Sequence, residues 1–113
     1  LKHGRRAQME LATVGVAATL TLKEGCCEQV GIVLAAVAPT PLRARRAQAL
    51  LIGQVPTPAL FERAAQAAEA EARPIGDVRA SADYRREMVR VLTRRALEQA
   101  LDEALNLAKE ATA

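Results

Sequence analysis

The sequence predicts an α+β fold: a small antiparallel β-sheet of three to four strands followed by three helices, packed as a two-layer sandwich. Three observations predict it. From Leu11 to Leu22 apolar residues recur at every second position, after Pro41 the apolar spacing changes to three and four, and the strand-like stretches all precede the helix-like ones. The 113 residues have the length of one domain, residues 1–113, and a domain of that size buries roughly 65% of its unfolded surface. Half the residues are apolar and only 2% are aromatic. The core is therefore built from Val, Leu, Ile and Ala, which lets helices lie close on a thin sheet.

Residues 2 to 9 can extend the sheet, with Gly4 and the Arg5–Arg6 pair standing against that assignment. In the first clear strand Ala12, Val14, Val16, Ala18, Leu20 and Leu22 share one face, and Leu11, Thr13, Gly15, Ala17, Thr19 and Thr21 share the other. "KEGCCEQ" supplies a turn, and the apolar run from Val30 to Ala38, closed by "PTP", is the second strand of a hairpin. "LRARRAQALLIG" then spaces Leu42, Ala49, Leu50 and Ile52 as a first helix that stops at Gly53. The second helix has Thr57 as N-cap, Pro58 at its first position, and Leu60, Phe61, Ala64, Ala65, Ala68 and Ala72 on one stripe. Pro74 and Gly76 break the chain. Ser81 caps a long third helix along Tyr84, Met88, Val91, Leu92, Leu97, Ala100, Leu101, Ala104 and Leu105.

Composition excludes several kinds of chemistry. A net charge of +3, arginines interspersed with acids, and no interleaved aromatic residues argue against a nucleic-acid surface. The longest apolar run, Val30 to Pro39, is too short to span a bilayer. His3 is the only histidine, so no Ser-His-Asp or Cys-His set can be assembled away from the chain end. Cys26 and Cys27 are adjacent, a spacing that neither bridges readily nor closes a zinc tetrahedron. They read as reduced thiols in an exposed turn, which favours a cytoplasmic setting. No GxGxxG or GxxxxGK[ST] phosphate loop can be written. Acid pairs such as Glu69 with Glu71 read as solvated helix surface.

The arginine-rich stretch "RPIGDVRASADYRREMVRVLTRRAL" reads as a structural joint. Asp83 is expected in the first turn of the third helix, where a carboxylate meets the positive end of the dipole. Asp77 and Arg79 are expected in the turn before it, pairing locally or fixing the loop against the sheet. Arg86, Arg90 and Arg94 follow at intervals of four and repel along one face, with Glu87 and Glu98 as partial relief.

Three stretches in order, "KHGRRAQMELATVGVAATLTL", "VLAAVAPTPLRARRAQALLIG" and "RPIGDVRASADYRREMVRVLTRRALEQAL", resemble the C-terminal domain of the flavin-binding (medium) subunit of molybdenum hydroxylases. This is the family of carbon monoxide dehydrogenase and xanthine dehydrogenase. The resemblance implies an α+β sandwich and a non-catalytic domain that helps close a flavin site and contacts partner subunits. Those partners are a large subunit with the molybdenum cofactor, a small subunit with iron-sulfur clusters, and the preceding domain, which holds FAD. It implies that electrons pass from the iron-sulfur clusters through FAD to an external acceptor. It also places Lys2 close to the flavin ring, although Met9 and Glu10 depart from the acidic pair that some relatives carry there. The start at Leu1, without an initiator methionine, fits a fragment of a longer chain. A rival from another class is a free-standing α+β interaction module without redox role.

Overall fold

The computed structural model describes residues 2–11, 14–35, 41–72 and 79–112. Four antiparallel strands lie in sequence order, β1 (Lys2–Leu11), β2 (Val14–Lys23), β3 (Cys26–Ala35) and the two-residue β4 (Leu42–Arg43), followed by α1 (Arg45–Leu51), α2 (Pro58–Glu71) and α3 (Arg79–Thr112). The expected α+β order is observed, and residues 2 to 11 do form a strand, paired with β2 along its whole length from Lys2–Lys23 to Leu11–Val14.

Alternation fixes the buried face of β2: Val16, Ala18, Leu20 and Leu22 are buried. On β3 the buried residues are Cys27, Val30, Ile32 and Leu34, a pattern with one step of three. The register explains it. Leu22 pairs with Cys27 and Thr21 with Gln29, so Glu28 is the extra residue of a β-bulge that returns Val30 to the core face.

The hairpin turn is shorter than its composition implies. Glu24 (φ 54°) and Gly25 (φ 80°) both occupy the left-handed region, as a two-residue turn requires, so the strand resumes at Cys26. The turn reading of the two cysteines is therefore overturned. Both lie in β3, and Cys27 is buried.

The first helix also differs from expectation. Leu42 and Arg43 pair with Leu34 and Val33 as an edge strand, and α1 is only seven residues long. It buries Ala47 and Leu51, leaving Ala49 and Ile52 exposed. The edge of β3 decides this. The Ala44 N–H donates to the Ile32 carbonyl at 2.9 Å, and the Ile32 N–H donates to Gln48 Oε1 at 2.9 Å. Farther along, the Cys27 N–H donates to the Gln54 carbonyl at 2.9 Å and the Gly53 N–H to the Cys27 carbonyl at 2.7 Å. Gly53, at φ 80°, is the stop that the sequence indicated.

On α2 the Thr57 hydroxyl accepts the Leu60 N–H at 3.1 Å, and Phe61, Ala64, Ala65 and Ala68 are buried, as their stripe predicts. The 34-residue α3 buries Val89, Leu92, Thr93, Ala96, Leu97, Ala100 and Ala104. Leu105, expected in the stripe, is 45% exposed. α3 packs on β1, β2 and α2, while α1 packs on β3 and α2. The helices thus cover one sheet face, and three alanines spaced by four on α3 allow the close approach.

Candidate functional site

The other sheet face carries a shallow concavity of about 170 Å³ lined by Ala17, Thr19, Gly31, Val33 and Arg43. Pairing builds it: Thr19 stands opposite Gly31, and Ala17 opposite Val33, which in turn faces Arg43 across the β3–β4 ladder. Gly31 is required by its neighbour, because a Cβ there would lie 2.6 Å from Thr19 Oγ1 and 3.9 Å from Arg43 Nη1. A hydroxyl and a guanidinium therefore meet over a bare stretch of backbone. Among the described residues Arg43 makes no ion pair, and no acid lines the concavity.

None of these five residues was singled out by sequence reasoning. The available signals were a glycine inside a strand and the polar face of the β2 alternation. The site residues that reasoning did single out are elsewhere. Lys2 opens β1 opposite Lys23, four β2 positions beyond Thr19 and thus about 13 Å away along the strand. Asp77 lies outside the described residues. Arg79 is the first residue of α3 and not part of the preceding turn, and Asp83 falls beyond the first turn, in which there is no acidic residue. Ser81 is likewise inside the helix rather than at its cap.

The acids read as solvated surface do specific work. Glu62 Oε1 is 3.0 Å from Arg90 Nη1 and 3.7 Å from Arg94 Nη1, and Glu69 Oε2 is 3.7 Å from Arg90 Nε. Together with Glu98 at 3.4 Å from Arg94 Nε, these carboxylates relieve the arginine row chiefly from α2. Glu71 accepts two backbone N–H groups of α1.

Burial, and then the neighbouring Cys26, push the Cys27 thiol up from its ordinary value of 9.0. It is protonated at neutral pH and a poor nucleophile. Among the described residues no group of three or more His, Cys, Asp or Glu side chains is placed to hold a metal ion, and no helix is long and apolar enough to cross a membrane.

Known proteins resemble this chain in sequence and in fold. The family described as CO dehydrogenase flavoprotein C-terminal domain matches residues 1–100. The chain is 38% identical over 97 residues to the carbon monoxide dehydrogenase medium chain of Afipia carboxidovorans, an alignment covering 86% of this chain and 34% of that one. Among solved structures it is similar to carbon monoxide dehydrogenase from Hydrogenophaga pseudoflava lacking the Mo-pyranopterin moiety (TM-score 0.79, 32% identity, 91% of this chain and 38% of that chain). It is also similar to quinoline 2-oxidoreductase from Pseudomonas putida 86 (TM-score 0.78, 28% identity, the same coverage). The chain thus spans about a third of the length of the curated relatives it matches.

Proposed function

Because the chain belongs to the CO dehydrogenase flavoprotein C-terminal domain family, we propose that it works as the C-terminal domain of an FAD-containing subunit of a molybdenum hydroxylase. The observation that carries this reading is the family match over residues 1–100, supported by the similarity of fold to two solved oxidoreductase structures, with TM-scores of 0.79 and 0.78. In this reading the FAD of the subunit takes electrons from iron-sulfur clusters on a small subunit, reduced in turn at a molybdenum cofactor on a large subunit, and hands them to an external acceptor. A cytoplasmic location goes with it.

Among the described residues no glycine-rich turn is placed to cradle FAD. Holding a pyrophosphate takes several free backbone N–H groups in a glycine-rich turn. Among the described residues the left-handed glycines Gly25 and Gly53 sit in tight turns, and the Gly53 N–H is already donated to Cys27. The concavity is also small beside the roughly 300–1,000 Å³ of a cofactor or ligand pocket. In this reading the domain contributes no catalytic residue and works by closing and positioning the flavin-holding part of the subunit. Lys2 is the residue that the resemblance places by the flavin, where an ammonium stabilises negative charge on the reduced ring. In the same reading Asp77 and Arg79, with Asp83 farther along α3, serve as a structural joint at the start of that helix.

The test is the complete protein that carries this domain. It should be yellow when purified and should reduce a dye when given carbon monoxide, a purine or an aldehyde. A colourless protein without flavin and without dye reduction would point to the free-standing interaction module instead.

A further inference from the structure

We draw no further inference here: the strongest candidate, the pair of exposed apolar side chains Ile52 and Val55 on the loop between α1 and α2, is an unpartnered surface patch, and nothing in the structure shows what covers it.

Discussion

The carboxylate of Glu71, in the last turn of α2, accepts the Ala47 N–H at 3.2 Å with one oxygen and the neighbouring Arg46 N–H at 3.1 Å with the other. Helix α1 has Ala44 at its N-cap and no side-chain cap of its own. A residue 24 positions away from Ala47 therefore satisfies two of its orphan donors. Glu71→Ala should lower stability by about 1 kcal/mol, the usual cost of a lost cap. Glu71→Gln, which keeps one acceptor oxygen, should lose less. Urea melts of the three proteins check the order, and equal midpoints would show that the bond contributes nothing.

Thr93 is fully buried on α3, and among the described residues its hydroxyl has no hydrogen-bond partner. An unsatisfied buried hydroxyl costs free energy that a methyl of the same shape does not. Thr93→Val should accordingly stabilise the fold by up to about 1 kcal/mol. A fall in midpoint would reveal a hydrogen bond made by that hydroxyl.

Cys26 and Cys27 should part company. Cys27→Ser puts a second hydroxyl into the core and should cost about 1–3 kcal/mol, whereas Cys26→Ser, half-buried, should stay within about 0.5 kcal/mol. Alkali gives an independent check. Since the folded Cys27 pKa is raised, its contribution is complete below the ordinary value of 9.0. Above it the unfolded chain loses its proton first, and stability falls as pH rises until the folded thiol titrates. Between pH 8 and 10 the melting temperature should drop more steeply in the wild type than in Cys27→Ala.

Thr19 and Gly31 should be coupled. Gly31→Ala alone should destabilise by about 1 kcal/mol, because its Cβ would press on Thr19 Oγ1. The loss should shrink in a Thr19→Ala background, giving a coupling energy of about 0.5–1 kcal/mol in a double-mutant cycle. Additive effects would mean that the strand accommodates the methyl by another route.

Arg79 tests the joint. It is the first residue of α3, where the helix dipole disfavours a cation by a few tenths of a kcal/mol. If Asp77 or backbone carbonyls hold it, Arg79→Ala should cost about 1.5 kcal/mol or more. Arg94→Ala, whose side chain is 41% exposed, should change stability by less than about 0.5 kcal/mol. A more stable Arg79→Ala protein would remove the joint and leave only the dipole.

Local pattern by itself determined the α+β order, the buried face of β2, the Thr57–Pro58 start of α2 and the stop at Gly53. Each of these is read from residues within a few positions of one another, where periodicity and capping chemistry act. Tertiary structure decided the rest. Cys27 is buried because a two-residue turn lets β3 begin at once and a bulge at Glu28 resets its parity. Leu42 and Arg43 became strand instead of helix because the edge of β3 offered them a ladder. The arginine row on α3 is neutralised chiefly by Glu62 and Glu69 of α2, with Glu62 lying 28 positions before Arg90. The concavity at Gly31 exists only where three strands meet in register. Contacts between residues that far apart in the chain leave no periodic trace, because each partner alone looks like ordinary surface or ordinary strand.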